Sequence, residues 1–381
     1  MSHVAILIIA NPNLSYESEE FNFLSRKLGK LFNGPSKTML LSGEMPSCLR
    51  SSVCDLLLAD PNLNLDGESR VAILSHPYIF PADGCIDRLD AALVAGINFA
   101  DACDSGHHEP MPPPDFATVR GMQRYVSRCS GLPTVSSSIT PWPLLRLTTV
   151  NALKKLRNGD ENIYGVRVPG AYVYDLSGYY QSARTELLPL IPSGVKKILD
   201  IGGGEGQFLA AAKELLGCET HLCEINVGVA ERARARVDHV HIGDFLQLDM
   251  PRNFSCITFL DMLEHVTNPE RYLRRAKQLL EPEGVIIASI PNVGHWTVVA
   301  DLVEGCWDYA PAGIHCITHL RFFTKKSIAE LFADCGLVIE RWESVRVPPP
   351  PWFDLSALAS ALAIDCESLS TLAWHCVARP G

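Results

Sequence analysis

Residues 195–216, VKKILDIGGGEGQFLAAAKELL, restrict what this chain can fold into more than any other stretch. An apolar run closes on Asp200, a glycine-rich turn follows, and helical patterning begins at about Gly206. Gly202, Gly204 and Gly206 stand at alternate positions, so the backbone can turn tightly and approach a ligand with no Cβ in the way. The helix beyond leaves unpaired amides at its start, which favour polar or anionic groups. Strand, turn and helix in this order open a parallel α/β unit, and the turn is either structural or the cradle of a nucleotide.

The residues that follow repeat the pattern. Strands are expected at 195–201, 219–224, 239–243, 254–260, 284–290 and 336–346, and helices at 181–190, 206–216, 227–236, 268–280 and 325–335. This alternation predicts a doubly wound parallel sheet. PPPPW at 348–352 and an apolar helix at 354–363 read as an insertion before a last strand, TLAWHCVAR at 371–379. Acidic residues recur at the strand ends. Glu224, followed by Ile225, closes the second strand 18 residues after Gly206, where a carboxylate accepts from both ribose hydroxyls. Asp244, in HIGDF, follows the third strand and is placed to accept from an adenine amine while Phe245 covers the ring. Three acids at successive strand ends on one rim select a nucleotide site over a structural turn.

The chain of 381 residues divides on this reading into 1–165 and 166–381, with NGDENIYG at 158–165 as a linker. A formal net charge of −10 argues against duplex nucleic acid as a partner, and Arg232, Arg234 and Arg236 alternate with alanines as on a solvated helix face. Thirteen cysteines are spread from Cys48 to Cys376 with no C-x-x-C pair, which fits buried free thiols in a reducing compartment. No apolar run reaches the ~18 residues of a membrane span. Met1 to His3 lead into the apolar run 4–10 with no basic flank, so no signal peptide is read. The expected setting is cytoplasmic, with a small-molecule partner, no nucleic acid and no membrane span.

Taken together, DIGGGEG, CEIN, GDF, FLDMLEHVTNP at 259–269 and LLEPEGVIIASIPN at 279–292 resemble the class I S-adenosylmethionine-dependent methyltransferases. Residues 290–336, with PN-x-x-HW and HLRFFT, are similar in particular to the branch that holds the methionine-biosynthesis protein MetW and small methyltransferases of surface-glycan gene clusters. The resemblance covers about 172–381 and implies a Rossmann-like α/β domain with S-adenosylmethionine as cofactor. It places Asp200, Gly202 and Gly204 along the methionine part, Glu224 at the ribose, and Asp244 with Phe245 at the adenine. Asp261 and Met262 would face the sulfonium and the incoming acceptor. YYQSAR at 179–184 resembles the helix before the first motif, so Tyr180 and Arg184 either close over the cofactor or pack that helix.

Methyl transfer from a sulfonium is an in-line displacement, in which an enzyme positions the acceptor and removes its proton. A hydroxyl acceptor needs a base, whereas an amine attacks with little help. Histidine suits that task because it titrates near neutrality. Four histidines fall where the resemblance implies the acceptor pocket: His265 beside Glu264, His295 in NVGHW, and His315 and His319 in GIHCITHLRFF. His295, leaving the fifth strand, is the favoured base. His315 and His319 share a face only in a helix, and Thr318 with its aromatic neighbours predicts an irregular lid or short strand instead. No metal ligand is assigned. Arg321 either binds an acidic group of the acceptor or ties the lid to a carboxylate. Trp296, Trp307 and Tyr309 are walls of the pocket or part of the core.

Residues 1–165 are expected to form a second, smaller α/β domain, with strands at 4–10 and 71–74, helices near 17–32, 86–97 and 151–157, and a loop rich in proline and histidine at 106–116. Residues 58–96 faintly resemble the acceptor-proximal half of a GT-A glycosyltransferase. Ser75 and His76 stand where that family holds its metal-binding acidic pair, so the resemblance implies a degenerate domain used for docking or assembly. An unrelated α/β domain is the other reading.

Three functions compete. The first is an S-adenosylmethionine-dependent methyltransferase acting on a hydroxyl or amine of a small molecule, such as a sugar or glycan precursor. An NAD-linked oxidoreductase shares the glycine turn but gives Asp244 and LEHV no task. A cofactor-binding regulatory or partner subunit without turnover shares every cofactor residue, and only an assay separates it from the first.

Overall fold

A computed structural model describes residues 5–10, 36–41, 66–74, 79–81, 84–94, 96–103, 118, 133–137, 144–158, 160, 162–175, 183–309, 313–347, 349 and 353–381. The chain divides into two compact units, Met1–Ser177 and Gly178–Gly381. The helix expected at 17–32, the loop at 106–116, Ser75, His76 and Tyr180 lie outside the described residues.

The described strands of the first unit are β1 (Ala5–Ala10), β2 (Ser36–Leu41), β3 (Arg70–Leu74), β4 (Ile79–Pro81), β5 (Phe99–Cys103), β6 (Val135–Ser137), β7 (Leu145–Thr149) and β8 (Gly165–Asp175). They form a mixed sheet in the order β2-β1-β3-β7-β5-β8-β4, with β6 also on β8. Helix α1 (Cys85–Ala92) covers part of its core, and α2 (Val150–Arg157) starts where the Thr149 hydroxyl accepts from the Ala152 amide. Asp101 and Arg146, both 1% exposed, form a two-pronged ion pair at 2.6 and 2.8 Å, which satisfies two charges that burial would otherwise penalise. Strand β8 begins where the sequence suggests a linker ends. It pairs with β5, β4 and β6, and the compact unit that holds it runs to Ser177, 12 residues beyond the stretch read as a linker.

The second unit holds β9 (Lys197–Ile201), β10 (Glu219–Glu224), β11 (His239–Ile242), β12 (Phe254–Leu260), β13 (Leu280–Pro291), β14 (Leu337–Arg346) and β15 (Thr371–Pro380). Their order is β11-β10-β9-β12-β13-β15-β14, parallel except that β15 runs antiparallel to both neighbours. Helices α3 (Gln207–Leu216) and α4 (Val227–Ala233), with a 3-10 turn at Thr185–Leu190, bury Leu187, Phe208, Leu209 and Ala233 on one face. Helices α5 (Pro269–Leu279), with Asn268 as cap and Pro269 at its first position, and α7 (Lys325–Asp334), with a Thr324–Ser327 capping box, bury Leu273, Ala276, Ile328 and Phe332 on the other. This is the Rossmann-like, doubly wound architecture the alternation predicts. The direction of winding reverses between β9 and β12, and ligands of such sheets sit beyond the strand ends at that point.

The elements differ locally from those expected in three places. Within the helix expected at 181–190, Thr185–Leu190 forms a short 3-10 turn because Arg184 is left-handed at φ 46° and Pro189 lacks an amide hydrogen. A helix α6 (Trp296–Val303) follows β13, where the sequence reading places no element. The insertion carries α8 (Leu355–Leu362), capped by Asp354, and a second short helix α9 (Cys366–Ser370). Residues 313–320 form turns without a helix, as the sequence suggests. Among the described residues the cysteines are free thiols, and no helix is long and apolar enough to cross a membrane.

Candidate active site

A cavity of about 730 Å³ opens beyond the C-terminal ends of β9, β10 and β12, within the second unit. Its floor is the turn after β9. Gly202 has φ 77°, and a Cβ there would lie 2.8 Å from the Met262 side chain. A Cβ on Gly203 would lie 2.2 Å from the Asp200 carboxylate. Both glycines are therefore required by close approach, and Gly203 is one the G-x-G-x-G spacing passes over. Asp200 is 1% exposed and accepts from the Thr258 hydroxyl at 2.6 Å. Burial pushes its carboxyl up to about 7; the Glu224 charge adds to this, and the Thr258 hydrogen bond and Arg184 oppose it.

Glu224 closes β10 with its carboxylate turned back on the turn. It accepts from the Gly204 amide at 3.2 Å and the Asn226 amide at 2.9 Å. Each oxygen keeps a free lone-pair direction. Ile225 beside it is 71% exposed and lines the cavity, an apolar surface with nothing yet covering it. Asp244 accepts from the Leu246 amide at 2.9 Å and from the Tyr272 hydroxyl at 3.1 Å. Phe245 is 2% exposed and sits in the core, with its ring 5.9 Å from that of Tyr272 and the Arg275 guanidinium over it at 5.3 Å. Phe245 nevertheless lines the cavity, together with Tyr272, Leu246 and Ile225.

The opposite wall is built by Arg184, Asp261, Met262, His265 and Thr318. Arg184 donates to the Asp261 carboxylate, to the Ser289 hydroxyl at 2.9 Å and to Glu186 at 2.6 Å. Burial works against its charge, but the two carboxylates outweigh it and hold the guanidinium above its ordinary range. His265 ends a 3-10 turn, Leu263–His265. Its Nδ1 lies 3.2 Å from the Thr318 carbonyl oxygen and 3.1 Å from the Thr318 hydroxyl; a proton on Nδ1 satisfies the carbonyl, which only accepts, and leaves the lone pair on Nε2. Burial lowers its pKa, against the Thr318 contact and the Asp261 charge.

Behind His265 stand two buried groups. Glu264 has no hydrogen-bond partner at either carboxylate oxygen, and His319 Nε2 has none and lies 4.0 Å from one of them. Burial and then the neighbouring Asp261 charge raise the Glu264 pKa well above the carboxylate range. Glu264, His265 and His319 each offer a ligand atom within 4.8 Å of the others. The Glu264 carbonyl in turn accepts from the Leu320 and Arg321 amides, which ties the 313–321 segment to this turn.

The other proposed histidines fall elsewhere. His295 is fully buried as the cap of α6, with Nδ1 2.9 Å from the Thr297 hydroxyl, and it does not line the cavity. His315 is 1% exposed, with its ring 4.1 Å from that of Trp307. Trp296 packs on Phe353 at 4.3 Å, and neither tryptophan nor Tyr309 lines the cavity. Arg321 donates to the Thr267 carbonyl at 3.2 Å, tying loop to loop through backbone.

Residues 172–341 match a family model described as a methyltransferase domain. The ubiquinone biosynthesis O-methyltransferase of Pseudomonas aeruginosa is 35% identical over 107 residues, which are 26% of this chain and 45% of that protein. That of Pseudomonas putida is 32% identical over 157 residues, 38% of this chain and 66% of that protein. The chain thus spans about half the length of the first relative and about two thirds of the second. Among solved structures, a possible histamine N-methyltransferase from Thermotoga maritima is 17% identical with a TM-score of 0.38, covering 53% of this chain and 89% of that one. An O-methyltransferase from neocarzinostatin biosynthesis, in complex with S-adenosylmethionine and 2-hydroxy-5-methyl naphthoic acid, is 14% identical with a TM-score of 0.37, covering 54% and 55%. Residues 172–341 of the chain are thus a methyltransferase domain. The cofactor of this domain is S-adenosylmethionine.

Proposed function

We propose that the protein methylates a hydroxyl oxygen of a small molecule, with His265 as the base. The observation that carries this reading is that one cavity is bounded by the glycine turn, Glu224 and Asp244 on one side and by His265 on the other. The donor set on the first side suits the cofactor. Asp200 and the turn would hold its methionine part, Glu224 its ribose hydroxyls, and Asp244 the adenine amine, with Tyr272, Leu246 and Ile225 against the ring. When bound, the cofactor supplies an electrophilic methyl group on a positively charged sulfur.

On the acceptor side, His265 Nε2 takes the hydroxyl proton while Nδ1 stays on the Thr318 carbonyl, which holds the ring in one orientation. The resulting imidazolium lies beside the Glu264 carboxyl, buried with no other partner. Lowered basicity does not disqualify the base, because His265 is then unprotonated throughout the neutral range.

Oxygen is favoured over nitrogen because the curated relatives of this domain are O-methyltransferases. A sugar or glycan precursor is the first acceptor class to assay. The test is incubation of the protein with isotopically labelled methyl donor and hydroxyl-bearing small molecules, followed by mass spectrometry. Labelled ether products support the reading. Binding of S-adenosylhomocysteine with no labelled product from any acceptor would replace it with a non-catalytic partner subunit.

A further inference from the structure

At the N-terminal ends of β10 and β11, a carboxylate and three imidazoles share one face of the sheet. The parallel register sets His221 beside His239 and Cys223 beside His241, and side chains alternate along each strand. Glu219 and His221 of β10 therefore join His239 and His241 of β11. Glu219 Oε1 lies 2.9 Å from His221 Nε2 and 2.9 Å from His239 Nε2. On its far side, His221 Nδ1 lies 3.0 Å from His241 Nε2. Glu219 is at the opposite end of β10 from Glu224, about 17 Å along the strand. The four residues take no part in the cavity.

We propose that Glu219, His221 and His239 form a binding site for a divalent transition metal of the zinc class, with water in the fourth position. Two imidazole nitrogens and a carboxylate oxygen are donors such an ion takes at about 2.0–2.2 Å in a tetrahedron. That geometry separates donor atoms by roughly 3.3 Å. The three ligand atoms already lie within 4.8 Å of one another, so shifts of side chains alone suffice.

The surroundings match the requirements of such a site. His221 is 3% exposed and wedged between His241 and the edge of the Phe254 ring at 5.1 Å, which fixes the direction of Nε2. Metal-bound histidines characteristically have their other ring nitrogen held by a second group, and His241 Nε2 is that group here. Glu219 and His239 are about half exposed, so an ion and its water can enter from solvent. With no ion, Nε2–H groups of His221 and His239 donate to Glu219, and His241 donates to His221. With an ion, the imidazoles stay neutral: the His221 proton moves to Nδ1 and donates to His241 Nε2. The ion would join β10 to β11, the four-residue strand at the sheet edge. This inference stands independently of the methyltransferase reading.

The test uses the full chain stripped with a chelator and titrated with Co²⁺, followed by its visible absorption, and then with Zn²⁺ as competitor. One equivalent of Co²⁺ with the intense bands of low coordination, displaced by Zn²⁺, is expected. His239→Ala and Glu219→Ala, both at exposed side chains, should each weaken uptake about tenfold or more. His265→Ala should leave it unchanged, because it alters only the other acid and histidine cluster. Zn²⁺ should raise the Tm of the native chain and not of His239→Ala. No uptake at micromolar ion, uptake indifferent to both substitutions, or uptake abolished by His265→Ala would each overturn the proposal.

Discussion

Arg184 and Asp261 both hold positive φ, at 46° and 53°, and their side chains pair with each other on the wall of the cavity. Non-glycine residues rarely adopt that conformation, and two facing ones persist only where other interactions hold them. The pair and Ser289, whose hydroxyl donates to Asp261 at 2.7 Å, supply that hold. Arg184→Gln should therefore cost about 1–3 kcal/mol of stability, since it leaves a poorly solvated carboxylate unpaired. Denaturant unfolding of Arg184→Gln, Asp261→Asn and the double variant gives the coupling directly. Strictly additive losses would show that the pair does not constrain the backbone.

Glu224→Ala should weaken S-adenosylhomocysteine binding by roughly 1.5–3 kcal/mol, as two ribose hydroxyls lose a charged acceptor. The same change frees the Gly204 amide, so the turn itself loosens. Calorimetry on a folded variant with native affinity would remove Glu224 from the cofactor site.

His265→Gln should lower kcat by ~10²–10⁴ and leave cofactor affinity alone. Burial lowers the pKa of His265, so the base is deprotonated at neutral pH. The native rate should accordingly stay flat through neutrality and fall only on acidification below the ordinary imidazole range. His295→Gln, by contrast, alters a buried helix cap and should lower Tm far more than it changes the rate per folded molecule. Equal rate losses for the two would point away from His265.

Asp200 gives the apo protein a distinctive pH response. Burial holds its folded pKa at about 7, while an unfolded aspartate ionises near ~4. Between those values the folded chain binds more protons than the unfolded one, so stability from this group is present below ~4 and declines as pH rises to about 7. Asp200→Asn should remove that decline. Parallel stability profiles of the native and variant chains from pH 4 to 8 would contradict it.

A chain of residues 178–381 should fold and bind S-adenosylhomocysteine alone, because every residue lining the cavity lies at or after Arg184. One that begins at 166 would carry β8 without its partners β4, β5 and β6, an unpaired strand prone to association. Sedimentation and ligand calorimetry on the two compare them directly. A 178–381 chain that is soluble yet fails to bind would make the first unit part of the site.

The glycine turn and the acids after β9, β10 and β11 were legible because local spacing alone puts them on one rim. His265 and Glu264 were also visible as adjacent residues, but their ranking below His295 was not resolvable. That order depends on Thr318 reaching back to His265 and on α6 turning His295 inward as a cap, both long-range facts. The partners of Phe245 were equally out of reach, since Tyr272 and Arg275 come to its ring from α5. The Glu219–His239 contact was invisible for a simpler reason: it exists only across a strand register. Strand β8 was not legible after residues 158–165, because a polar stretch looks like a linker whether or not a strand follows it.

Strand β15 lies between β13 and β14, and β14 pairs with no other strand among the described residues. During synthesis β14 leaves the ribosome first and has no docking edge until α8, α9 and β15 have followed. One side of this sheet thus matures late, with its outermost strand waiting on β15. A nascent polypeptide stalled before Thr371 would display β14 and an open flank of β13 together, and such a pair of bare edges is what holdase chaperones capture.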